Sequence, residues 1–165
     1  GFTIHSALHM ARDDAHAVMH LHTPHGQAVS AMEFGLLPHT QTAMIAGHDI
    51  AYHDYEGIAT DLDERERLVA DMGAKNVMIL RNHGTLAVGD SVGACFLRLY
   101  FLERACEAQV MMLSAGKEHL NNPPQGVEHK VAGQSNPKGM GMLAERLAWP
   151  ALLRKLDRID PSFRD

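Results

Sequence analysis

Apolar Ile4, Ala7, Leu8 and Ala11 recur at three and four positions, so one face of Thr3–Arg12 is oily and the segment predicts a short helix. Asp13-Asp14 ends it, and Ala17–His22 follows as a short strand. Thr23-Pro24 reads as a helix start over residues 24–32, with the threonine as cap and the proline at the first helical position. Gly35-Leu-Leu-Pro38 is a turn, and Thr40–Ala46 is ambiguous by pattern. Asp49–Tyr55 alternates as a strand does, and Leu62–Met72, capped by Asp61 or Asp63, is a charged amphipathic helix. Val77–Asn82 is an apolar, β-rich strand; Gly84 turns the chain, and Thr85–Val88 returns as its hairpin partner.

Gly89-Asp90-Ser91 caps a long helix over Val92–Ala115. Its Cys95, Leu99, Leu102, Cys106, Val110 and Leu113 form a buried stripe, and Gly116 suits the position just past its end. Lys117–Lys138 is polar and rich in proline and glycine, which predicts a surface excursion. Met140–Leu156, with Trp149-Pro150 in its middle, is a last amphipathic segment before the charged tail Asp157–Asp165. Short strands interleaved with helices predict a layered α/β domain over 1–116, a polar loop over 117–139, and a C-terminal helix and tail over 140–165.

Composition narrows the class. At 165 residues the chain is one domain's worth, and 45% hydrophobic with 21% charged residues is globular usage. A net charge of −5 supplies no basic field for nucleic acid or an anionic membrane. No apolar run approaches the ~20 residues of a membrane span, so a soluble protein with no membrane partner is expected. Cys95 and Cys106 lie eleven residues apart on one helix, about 16 Å at 1.5 Å per residue, which is too far for a disulfide. Buried thiols and a reducing, cytoplasmic compartment are the expectation.

Histidine is the outlier: of twelve, nine fall before residue 54, so the first third holds the candidate chemistry. His20 and His22 are two apart on a strand and share a face. His83 sits at the end of the second apolar strand, in Leu80-Arg-Asn-His-Gly84. Three neutral imidazoles with a fourth position left to water or substrate are the donor set of a catalytic zinc site. The helix start beside His22 adds backbone N–H groups that favour an anion.

Gly1-Phe-Thr-Ile-His5, His20-Leu-His-Thr-Pro24, Ala28-Val-Ser-Ala-Met32, Gly35-Leu-Leu-Pro38, Ala51-Tyr-His-Asp-Tyr55, Leu80-Arg-Asn-His-Gly84 and Ala105-Cys-Glu-Ala-Gln109 together resemble the class II aldolase/adducin family, nearest its adducin-like branch with bacterial members. The resemblance runs over about 1–116. It implies a three-layer α/β/α sandwich around a mostly antiparallel sheet, a divalent metal, zinc or similar, on His20, His22 and His83, and a homotetramer with sites at subunit interfaces. It also implies lyase chemistry on a small hydroxy-carbonyl or carboxylate substrate, by aldol cleavage or decarboxylation through a metal-stabilised enediolate or carbanion. A non-catalytic, adducin-like oligomerisation or interaction module of cytoskeletal-scaffold type is the alternative. The family's enzymes carry a proton-moving acid whose place falls at about Gly1, and no Asp or Glu precedes Asp13. The expectation is a chain that begins mid-domain.

In place of that acid, His25, Tyr52 and Asp54 are the candidates for proton transfer. His25 is three residues past the metal pair, and Tyr52 and Asp54 lie in the polar-aromatic strand end with His53 and Tyr55. Alternation allows either the two tyrosines or His53 on one face, with interface packing as the plain reading. His5 and His9 share a helix face and are read as structural or as lining the site; Arg81 and Asn82 either orient His83 or make turn contacts. Asp61–Arg67 reads as a solvated helix face, and Trp149-Pro150 as a packing anchor.

Overall fold

The computed structural model describes residues 1–58, 62–135 and 140–165, and the backbone of 137–139. Four strands, β1 (Ala17–Leu21), β2 (Ile50–His53), β3 (Val77–Leu80) and β4 (Gly84–Gly89), form one sheet in the order β1-β4-β3-β2. β4 runs antiparallel to both β1 and β3, and β2 runs parallel to β3, so the sheet is mixed and mostly antiparallel. Strand side chains alternate between faces, and each face is covered by helices. Met78, Leu80, Leu86 and Val88 pack under α1 (Phe2–Ala11) and α4 (Glu64–Met72) through Ile4, Leu8, Leu68 and Met72. Ala17, Val77, Ile79 and Ala87 pack under α2 (Pro24–Ser30) and α5 (Val92–Leu113) through Val29, Cys95, Leu99, Leu102 and Cys106. The result is the three-layer α/β/α sandwich.

The ambiguous segment is a helix, α3 (Gln41–Gly47), begun by the Thr40 hydroxyl, which accepts from Ala43 N–H at 3.2 Å. It lies against α5, whose apolar stripe gives it a face to bury. Thr23 and Ser91 cap α2 and α5 as their sequences predict. Asp63 precedes α4 without a side-chain cap bond, and Asp61 lies outside the described residues.

Three expectations need correction. The 117–139 stretch contains a helix, α6 (Val127–Gln134), and the backbone of α7 (Pro137–Leu143) begins within it. Polar composition concealed α6, which has no buried residue and so carries no core-facing stripe. The last amphipathic segment is not one even helix. α7 passes through a wide turn at Ala144–Ala148 into α8 (Trp149–Ile159), and Trp149 N–H bonds to Ala144 O, five residues back. Pro150 has no N–H to give the preceding turn, which explains a widened turn at this place. The 61–67 stretch is not wholly a solvated face either, because Glu64 is buried beside His53, with Oε1 3.5 Å from His53 Nε2.

Trp149 packs on Phe96 of α5, ring centroids 5.7 Å apart, as an anchor for this end of the chain. Both thiols are buried, and burial pushes Cys95 up to about 11 and Cys106 to about 12. Among the described residues no helix is long and apolar enough to cross a membrane.

Candidate metal centre

β1 carries His20, with His22 just past its end, and the β3–β4 turn carries His83; antiparallel pairing brings them together where Leu21 faces Thr85 and Leu80 faces Gly84. The turn is tight. Asn82 adopts φ 55°, a left-handed conformation that asparagine tolerates better than most residues, and its N–H donates to Ser30 O at 3.0 Å. Gly84 leaves room for β1: a Cβ there would meet the Leu21 carbonyl and come within 3.1 Å of the His22 ring.

The three imidazoles converge. His20 Nε2 stands 2.7 Å from His22 Nε2 and 3.2 Å from His83 Nε2, and one nitrogen of each ring lies within 4.8 Å of the other two. His20 Nδ1–H donates to Thr85 O at 2.9 Å, which leaves the Nε2 lone pair aimed at the cluster. A tetrahedral zinc with bonds of 2.0–2.1 Å would hold its nitrogens about 3.3–3.4 Å apart; the His20–His83 spacing is near this, and the His20–His22 pair would open by about 0.6 Å. Burial lowers the pKa of His20 to about 4 against the Thr85 hydrogen bond, with His83 and His22 adding to the fall. Burial is also the largest cause of the lowering at His83, followed by His22. Three imidazole nitrogens thus stand within 4.8 Å of one another with no carboxylate among the described groups of the cluster. Three converging imidazole donors, with the His20 Nε2 lone pair freed by its Nδ1–H bond to Thr85, are a donor set that fits a divalent metal.

A cavity of about 450 Å³ opens over the cluster. Gln27, Tyr55 and Asn82 share its wall with the three histidines, and Gly1, where the resemblance puts the acid, lines it too. The Tyr55 ring centroid is 6.2 Å from that of His83. His25, Tyr52 and Asp54 are not among the residues described at this wall. Tyr52 has a structural post: its hydroxyl accepts from Leu36 N–H at 3.1 Å, and its ring lies beneath the Arg81 guanidinium at 4.4 Å. Arg81 also donates to Met32 O and Glu33 O, so it clamps the 32–37 loop. His53 is buried on the α4 side, with Nδ1 2.7 Å from Asp71 Oδ2. His9 Nδ1 donates to Ala15 O at 2.7 Å, while His5 lines a different, mostly apolar cavity that also touches His20. The helix start beside His22 has little left for an anion, since Gly26 N–H and Gln27 N–H are bound to the Thr23 hydroxyl and carbonyl.

Two residues of the centre escape sequence reasoning. Gln27 gives no motif signal. Glu103 accepts from the hydroxyls of both Thr23 and Thr85, and its signal was a carboxylate set among Leu99, Leu102 and Cys106 on the buried side of α5.

Fold and cluster together define an α/β domain with a candidate three-histidine metal site, and comparison with known proteins gives its class. Residues 1–110 match the family model of the class II aldolase and adducin N-terminal domain. A Caulobacter vibrioides protein named for aldolase class 2 is 55% identical over the whole chain, which covers 63% of that protein. Mouse (Mus musculus) alpha-adducin is 41% identical over 96% of the chain and 23% of its own length. The crystal structure of an aldolase II superfamily protein from Pseudomonas syringae superposes with TM-score 0.91 at 48% identity, covering 100% of this chain and 65% of that one. An L-fuculose 1-phosphate aldolase from Glaciozyma antarctica superposes at 0.62 with 28% identity, over 89% of this chain and 58% of that one. The chain belongs to the class II aldolase and adducin family. It spans a little under two thirds of the length of the bacterial curated relatives it matches.

Proposed function

We propose that His20, His22 and His83 bind one divalent metal ion, zinc by preference, and that the domain is a metal-dependent lyase. The substrate class is a small hydroxy-carbonyl or carboxylate, cleaved by aldol chemistry or decarboxylated. The observation that carries this reading is the convergence of three Nε2 atoms on one point under an open cavity. An all-imidazole set suits zinc, and when bound the metal supplies Lewis-acid polarisation of substrate oxygens. The protein's own part is to hold these lone pairs in place: Thr85 O fixes the His20 ring, and the Asn82 turn fixes His83. Tyr55 supplies a phenol, and Gln27 and Asn82 supply amides, to the same cavity; all three can orient a substrate's oxygens, and the phenol can also hold a proton. The similarity to an L-fuculose 1-phosphate aldolase supports the lyase assignment. A cytoplasmic homotetramer, with 1–116 as the domain that carries the chemistry, completes the proposal.

The 41% identity to alpha-adducin favours a second reading, an interaction module that keeps the fold without turnover. Assay of the zinc-loaded protein against a panel of sugar phosphates, hydroxy-aldehydes and β-keto acids decides between them. The lyase reading expects turnover of at least one, lost on chelation and in Tyr55→Phe if the phenol moves the proton. No turnover across the panel by protein that holds its metal supports the adducin-like reading.

A further inference from the structure

One carboxylate ties β4 to the start of α2, the segment that follows His22. Glu103 projects from α5; one of its oxygens accepts from Thr85 Oγ–H and the other from Thr23 Oγ–H. Thr85 is fully buried, and its carbonyl is the group that receives His20 Nδ1–H. Thr23 directly follows His22, and its hydroxyl also accepts from Gly26 N–H at 3.0 Å. A single side chain thus holds the residue that orients His20 and the residue next to His22.

We infer that Glu103 is a positioning residue of the metal centre, setting the separation of the His20 and His22 nitrogens through Thr85 and Thr23; the inference rests on the metal-binding reading above. Hydroxyls that donate to a carboxylate form charge-assisted bonds, roughly twice as strong as neutral ones. A carboxylate can accept from both threonines at once. A glutamine in its place offers one carbonyl oxygen and one NH₂, so one hydroxyl proton loses its acceptor. If that is Thr85, the orphaned proton is buried. The His20 ring then keeps its carbonyl partner, while the backbone that carries the carbonyl is freer to drift.

The test is zinc affinity by competition with a chromophoric chelator, together with the visible spectrum of the cobalt-substituted protein. Glu103→Gln should lower zinc affinity about tenfold and Glu103→Ala about a hundredfold, the range for residues that hold metal ligands in place. The cobalt bands should shift in both. Thr85→Val should lower affinity as well, and the Glu103→Gln/Thr85→Val double variant should lose no more than the worse single variant. Cys106→Ala, which opens a void one turn further along α5, should lower the melting temperature with affinity and bands unchanged. Wild-type affinity and bands in Glu103→Gln overturn the inference, as does a loss no larger than that of Cys106→Ala. If Glu103→Ala fails to fold, the glutamine variant decides alone. A wild-type protein that binds no zinc overturns the metal reading itself, which separates that failure from failure of the Glu103 inference.

Discussion

Gly84→Ala is the sharpest probe of how the strands set the metal centre. Gly84 opens β4 one residue after His83 and lies against β1. A methyl at this position would collide with the Leu21 carbonyl, reach 3.4 Å from the Leu21 carbonyl carbon and 3.1 Å from His22 Cδ2. The φ here is not in the left-handed region, so space alone sets the cost. The first obstacle is backbone, which cannot rotate away, and β1 must therefore retreat from β4 at the Leu21–Thr85 pair. Forcing one methyl into such a contact costs about 2–3 kcal/mol, within the usual range for overpacking. For a chain of this length that lowers the melting temperature by about 4–12 °C. The same retreat moves the His22 ring off the shared point, so zinc affinity should fall at least tenfold, a displacement of about 1 Å being enough to spoil a preorganised site. Thermal melting of metal-free protein reads the first effect, and a zinc competition titration reads the second. A variant that melts as the wild type does and binds zinc equally well would refute the argument.

Gln109→Leu should cost about 2–4 kcal/mol in urea unfolding, because the buried amide accepts from Leu37 N–H and donates to Gly35 O, and leucine leaves both orphaned. A loss below about 1 kcal/mol would mean that the 32–37 loop does not depend on it. The two thiols should resist alkylation at pH 8 in native protein and both react in denaturant, since folded pKa values of about 11 and 12 leave almost no thiolate. A raised thiol pKa stabilises the fold fully below the ordinary value near 9, and that contribution is lost as pH rises towards about 11–12. Stability in Cys95→Ala/Cys106→Ala should therefore fall less over that alkaline window than in wild type, and an equal fall would contradict the assignment.

The sequence was most legible where periodicity and capping chemistry agreed. The α5 stripe, the Thr23-Pro24 start of α2 and the Val77–Leu80 strand lie where apolar spacing puts them, to within a few residues at their ends. The histidine cluster was legible for a related reason: two residues apart on a strand, plus a strand end, is a geometric statement. What pattern could not supply was contact at long range. Tyr52 and Tyr55 look equivalent in Tyr52-His-Asp-Tyr55, yet one is held by Leu36 N–H beneath Arg81 and the other faces His83. That difference depends on how the chain turns after β2 ends at His53, and no local spacing encodes it. Glu103 meets Thr23 from eighty residues away, so its role exists only once α5 crosses the sheet. α6 was hidden because it packs on α3 through half-buried residues only, with none fully buried to mark a core-facing stripe.

Whether His20, His22 and His83 together hold one metal ion can be read by X-ray absorption at the zinc edge. The expected result is one zinc per chain with a shell of nitrogens at about 2.0–2.1 Å and the outer-shell scattering of three imidazoles. His22→Ala should lose an imidazole from that shell and most of the bound zinc. Wild-type protein that retains no zinc after exhaustive exchange into micromolar metal, or a His22→Ala variant with an unchanged zinc content and spectrum, would contradict it.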